Sequence, residues 1–159
     1  VLTMAHRWGD PRREHDLING GAAFYRVYKT RDGRFAAIAA LEEKFWRAFC
    51  AAVERPDWVA RQAEPLPQSG LIREMEALFA SRTLAEWTTL LEPFDCTFEP
   101  VLEPHEVARH PHHVERGFTH VSEQGLVEVV LPVLMEGERP RRRRPLAERA
   151  AGDVLSAWT

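Results

Sequence analysis

The sequence predicts an α+β fold: a small antiparallel sheet built on a β-hairpin, with three to four helices packed over it. Three observations carry this expectation. Two apolar-rich runs, Phe24 to Thr30 and Phe35 to Ala40, flank Asp32-Gly33, a pair suited to hairpin turns. Beyond Leu41 the apolar residues recur at helical spacing instead. Thr83-Leu84-Ala85-Glu86 is a capping box, in which threonine and glutamate satisfy the backbone at one helix start.

Taken in order, residues 1–19 are polar and irregular and read as a linker or remnant N-terminal segment. Gly20-Gly21 marks a turn. Phe24 to Thr30 is rich in aromatic and β-branched residues, as a strand requires. The small and aliphatic residues of Phe35 to Ala40 suggest a return strand buried on both faces. Phe45, Trp46, Phe49, Cys50 and Val53 form the apolar stripe of a helix from about Glu43 to Glu54. Arg55-Pro56 ends it, because the residue before proline disfavours the helical conformation. Pro56-Asp57-Trp58 opens a short second helix to Gln62. Pro65-Leu66-Pro67 is a loop, and Leu71, Ile72, Met75, Leu78 and Phe79 stripe a third helix. The fourth carries Leu84, Trp87, Leu90 and Leu91 and stops at Pro93. Cys96 to Leu102 is a short strand, and Pro104 starts a brief helix through PHEVARH. Arg116-Gly117 turns the chain into a last pair of strands, Phe118 to Val121 and Leu126 to Leu131. A basic linker and a weakly amphipathic helix complete it. The expected organisation is therefore 1–19 as linker, 20–135 as one small domain, and 136–159 as linker and C-terminal helix.

Composition narrows the function. A formal net charge of −3 argues against nucleic acid as the main partner. No apolar run approaches the ~20 residues that cross a bilayer. The N-terminus, VLTMAHRWGDPRREHD, lacks the apolar core of a signal peptide. Cys50 and Cys96 fall inside apolar patterns and read as two buried thiols of a cytoplasmic protein. Val1 in place of methionine hints at a processed, tagged or excised chain.

From Gly20 to about Gly117 four motifs stand in order: FYRVYKTRDGRFAAIAALEEKFW, ERPDW with RQ, ASRTLAEW, and DCTFEPVLEPHEVARHPHHVERG. In order and spacing they resemble the small domain of the family III CoA-transferases, and most of all its α-methylacyl-CoA racemase branch. Ala39-Ala40-Leu41 is unlike the glycine-rich loop of the formyl-CoA transferases. The resemblance implies a CoA thioester as substrate and no covalently bound cofactor. It also implies that a large Rossmann-like domain, with the catalytic histidine or aspartate, is needed beside this one. The family's subunits interlock, so a homodimer or a separate large-domain chain is an implied partner. On this reading the 159 residues are a fragment or derivative, inactive alone; the alternative is a self-associating binding module. PLAERAAGDVLSAWT is similar to the family's returning segment, but Ala147, Arg149 and Ala150 replace its glycine, histidine and threonine.

Glu42 is the main candidate site residue. Racemisation α to a thioester needs one group to take a proton and another to return one, each within hydrogen-bond reach. The resemblance gives Glu42 an accessory role, orienting and charging a histidine from the missing domain. Its place at a helix start allows this, since the helix dipole favours an anion there. The plainer reading is a first-turn glutamate that stabilises the helix. Tyr25, Ala40 and Leu41 are the implied substrate-binding residues; the plainer reading of Tyr25 is a core aromatic. Tyr28 is expected on the same face as Tyr25. His105, His110, His112, His113 and His120 contain no helical i, i+4 pair and have no cysteine nearby, so they read as structural and no metal is expected. Arg139 and Arg141 to Arg144 could hold the phosphates of CoA or of nucleic acid, but read more simply as a solvated linker.

Overall fold

A computed structural model describes residues 12–130, together with 133, 137, 138, 150, 152 and 156. The chain divides into two compact units, Val1–Val101 and Leu102–Thr159. The division falls inside the stretch 20–135 that the sequence suggests is one domain. The basic run and most of the C-terminal helix lie outside the described residues.

In the first unit a single helical turn, Leu17–Gly21, leads into the sheet. Asp16 caps it through the Leu17 N–H at 2.7 Å, and Asn19 returns the contact to the Asp16 N–H at 2.7 Å. Gly21 is required here, because an added Cβ would sit 2.7 Å from the His15 carbonyl carbon.

The sheet has order β1-β2-β3, with β1 Tyr25–Lys29, β2 Phe35–Ala39 and β3 Phe98–Pro100, all antiparallel neighbours. The hairpin register runs from Tyr25 opposite Ala39 to Lys29 opposite Phe35. Gly33, at φ 79°, donates to the Thr30 carbonyl at 2.9 Å and closes the turn.

Two expectations are corrected here. β2 is not buried on both faces: Ala36 and Ile38 are buried, while Phe35 is 45% exposed and Ala39 is exposed. Among the described residues of the first unit, the helices cover one face of the sheet. Tyr28 does not share a face with Tyr25. It lies three positions along, and the strand's period of two turns it inward. There it is buried, and its hydroxyl donates to the Ala23 carbonyl at 2.6 Å.

The helices over the buried face are α1 Glu43–Ala52, a 3-10 helix Pro56–Ala63, α2 Ser69–Phe79 and α3 Leu84–Leu91. α1 stops two residues short of the expected Glu54. Glu54 adopts the left-handed φ of 57°, and the Arg55 N–H reaches back to the Cys50 carbonyl at 2.8 Å. α3 carries the predicted capping box. The Thr83 N–H donates to Glu86 at 2.7 Å and the Glu86 N–H to the Thr83 hydroxyl at 3.3 Å.

The core is a run of aromatic rings. Tyr28 stacks on Phe79 at 4.9 Å, Phe49 and Trp46 stack at 5.5 Å, and Trp46 stacks on Trp58 at 6.5 Å. Each buried indole N–H has an acceptor. Trp46 donates to the Trp58 carbonyl at 3.0 Å, Trp87 to the Phe79 carbonyl at 2.9 Å, and Trp58 to Glu74 at 3.1 Å. Cys50 and Cys96 are free thiols, and both are fully buried.

The second unit contains two short helices, α4 Pro104–Val107 and α5 Pro111–Arg116, and a hairpin of β4 Thr119–Val121 with β5 Val127–Val129. Gly117, in the left-handed region at φ 60°, ends α5. Among the described residues no helix is long and apolar enough to cross a membrane.

Candidate functional site

The joint between β2 and α1 holds the residues singled out from sequence. β2 ends at Ala39, and Ala40 and Leu41 carry the chain into Glu42, the residue that caps α1. Glu42 is extended, at φ −78° and ψ 140°, and its carbonyl opens the helical hydrogen bonding by accepting the N–H groups of Phe45 at 3.1 Å and Trp46 at 3.2 Å. Its side chain makes no capping hydrogen bond and is exposed. The helix therefore uses the backbone of Glu42 and leaves its carboxylate projecting beside the N-terminal dipole.

The other three candidates differ in exposure. Leu41 is 42% exposed. Tyr25 is half-buried and sits in register with Ala39, at the end of the sheet nearest Glu42. Ala40 is fully buried, and its N–H donates to the Phe24 carbonyl at 2.9 Å. Its methyl is thus turned away from any surface ligand. An open cleft of about 590 Å³ lies between α1 and the 3-10 helix, with Glu43, Arg47, Val59 and Gln62 in its lining. Arg47 and Glu43 pair across one turn of α1, Nε to carboxylate at 2.8 Å.

Two residues that the motifs did not single out as functional hold this joint. Gln62 donates its side-chain amide to the carbonyls of Ala40 and Leu41, each at 3.1 Å. Gln68 is buried, and the two N–H groups of its amide are shared among the carbonyls of Gln62 at 3.0 Å, Glu64 at 3.2 Å and Arg61 at 3.3 Å. Its carbonyl accepts the Ala23 N–H at 3.0 Å. The sequence signal for Gln62 is only its place in RQ, and a polar loop residue such as Gln68 carries no mark of burial.

A second polar cluster fixes the 3-10 helix. Glu74 accepts from Arg61 at 2.8 Å, from Arg55 at 3.2 Å and from Trp58 at 3.1 Å. These donors, Arg61 above all, hold its carboxyl below the usual range. Every member has a partner inside the fold, so the cluster reads as a structural clasp.

The histidines are drawn together only in part. His110 and His113 lie 5.4 Å apart between ring centres, and His112 and His113 pack on Phe118 at 6.0 and 5.8 Å. His113 Nδ1 lies 2.9 Å from the Val107 carbonyl, and His120 pairs with Glu128 at 3.2 Å. Among the described residues no three acidic, histidine or cysteine side chains converge as metal ligands.

Comparison with known proteins places the chain among relatives. A sequence profile described as CoA-transferase family III matches residues 2–148. The human alpha-methylacyl-CoA racemase is 32% identical over 118 residues, covering 74% of this chain and 31% of that protein. The mouse alpha-methylacyl-CoA racemase is 31% identical over 116 residues, covering 69% of this chain and 29% of that protein. This chain thus spans less than a third of the length of either. Among solved structures, a mutant of Rv3272 from Mycobacterium tuberculosis superposes with a TM-score of 0.58 at 25% identity, over 72% of this chain and 34% of that one. The orthorhombic form of Rv3272 gives the same TM-score over 87% of this chain at 23% identity, a likeness of fold. The chain belongs to CoA-transferase family III.

Proposed function

We propose that these residues form one wall of an acyl-CoA site, in a racemase or CoA-transferase acting on acyl-CoA thioesters. The observation that carries the reading is Glu42: an exposed carboxylate at a helix N-terminus that the helix itself leaves unused. In the proposed reaction a base removes the proton α to the thioester carbonyl and an acid returns one to the opposite face. Glu42 is accessory. It accepts a hydrogen bond from a histidine supplied by a large CoA-binding domain, and its charge favours the protonated ring. Tyr25 and Leu41 border the acyl chain, and Ala40 contributes by anchoring the loop. The similarity to alpha-methylacyl-CoA racemases and the family match support acyl-CoA as the substrate class.

With the catalytic histidine on another domain, these 159 residues alone do not catalyse the reaction. The test incubates the chain with a 2-methylacyl-CoA in deuterated water and follows the α-proton by NMR. No exchange above the uncatalysed rate is expected, and exchange by this chain alone would overturn the assignment of Glu42 as accessory.

A second reading, a self-associating module, has its own observation. The sheet face away from the helices exposes Val27 by 53% and Phe35 by 45%. Sedimentation across a hundredfold range of concentration tests this second reading. A dimer supports self-association, and a monomer throughout removes it.

A further inference from the structure

We infer that Gln62 is a positioning residue for Glu42, acting as a clamp on the two peptide groups that precede it. The inference rests on the reading of Glu42 as a site residue. A carboxamide carries two N–H donors on one nitrogen. The Gln62 amide lies 3.1 Å from the Ala40 carbonyl and 3.1 Å from the Leu41 carbonyl, so donors and acceptors match one to one. Those carbonyls belong to the only two residues between the last residue of β2 and Glu42. Neither carbonyl is engaged by a strand ladder or by the first turn of α1, since Leu41 lies beyond the register and the helical bonds begin at the Glu42 carbonyl. Without the clamp, the segment would be held on this side only by the Ala40 and Leu41 N–H groups.

The clamp is itself anchored. The Gln62 carbonyl is held by buried Gln68, whose own carbonyl takes the Ala23 N–H, one residue before Phe24. Phe24 in turn accepts the Ala40 N–H at 2.9 Å. A closed circuit of amides therefore joins the start of β1, the 3-10 helix and the Glu42 loop. The amide at position 62 completes it. Glutamate would set a carboxylate against two carbonyl oxygens, and methionine would fill the space without donors.

The experiment is backbone ¹⁵N relaxation and amide exchange on the full chain, wild type against Gln62→Met and Gln62→Glu. Methionine keeps the packing volume, so a role in packing alone predicts no change. The clamp predicts rigid amides in the wild type, with order parameters of about 0.85, falling toward about 0.6 at Leu41 and Glu42 in both variants. Loss of two hydrogen bonds should also speed Leu41 exchange by roughly tenfold. The amides of Trp46 to Ala52 should not move. Unchanged Leu41 and Glu42 would overturn the inference, and so would loosening spread through α1, which would mark a general structural role. These readouts need no ligand. Failure of acyl-CoA to perturb the wild type would count against the site reading and leave the clamp standing.

Discussion

Glu42 and Gln68 illustrate opposite ends of what single residues reveal. Glu42 stood out in the sequence because it follows an apolar strand and opens a helix, and the structure leaves its carboxylate exposed and uncapped. Gln68 follows Pro67 in a polar loop, yet it is buried and serves three carbonyls and one N–H. Burial of an isolated polar residue depends on contacts distant in sequence, which no local pattern encodes. Gln68→Ala should destabilise the chain by roughly 2–3 kcal/mol in urea unfolding, because the buried Ala23 N–H loses its acceptor.

Cys50 gives a pH dependence at the same scale. Burial raises its thiol from 9.0 to about 12, with the Asp57 charge adding to the effect. The folded state thus keeps a proton that the unfolded chain releases first. This contribution to stability is complete below about pH 9 and is lost as pH climbs toward 12. The urea midpoint should fall between pH 8 and pH 11, less steeply in Cys50→Ala. Buried Tyr28, whose hydroxyl is also raised by desolvation, acts in the same direction.

At the scale of elements, periodicity and caps were informative. The hairpin, the helical stripes and the Thr83 box all appear where the residues place them, because each rests on contacts within a few positions. Thr83→Ala should cost α3 about 1 kcal/mol of stability, read from a thermal or urea midpoint. The end of α1 was misplaced for a physical reason. Its last turn closes through Glu54 in a left-handed conformation that favours glycine, and nothing in the residue type announces it. Glu54→Gly relieves that strain and should raise stability by about 1 kcal/mol. The small residues of β2 suggested burial on two faces, yet side-chain size does not say how many layers cover a sheet. The face bearing Ala36 and Ile38 is the one that the described helices of the first unit cover.

For the whole molecule, the α+β class and the family were legible from ordered motifs, while the division at Val101 and Leu102 was not. Where a chain divides depends on the balance of contacts within and between segments, and motif order is silent on that balance. The joint at Ala40 to Glu42 unites the scales. A strand end, a helix start and a pair of glutamines converge to present one carboxylate.

Contact between this joint and acyl-CoA is read from an NMR titration of the ¹⁵N-labelled chain with a 2-methylacyl-CoA. Shift changes are expected to concentrate at Tyr25, Leu41 and Glu42, and to weaken at Leu41 in Glu42→Gln. Saturable shifts elsewhere, or none at millimolar ligand, would contradict that contact.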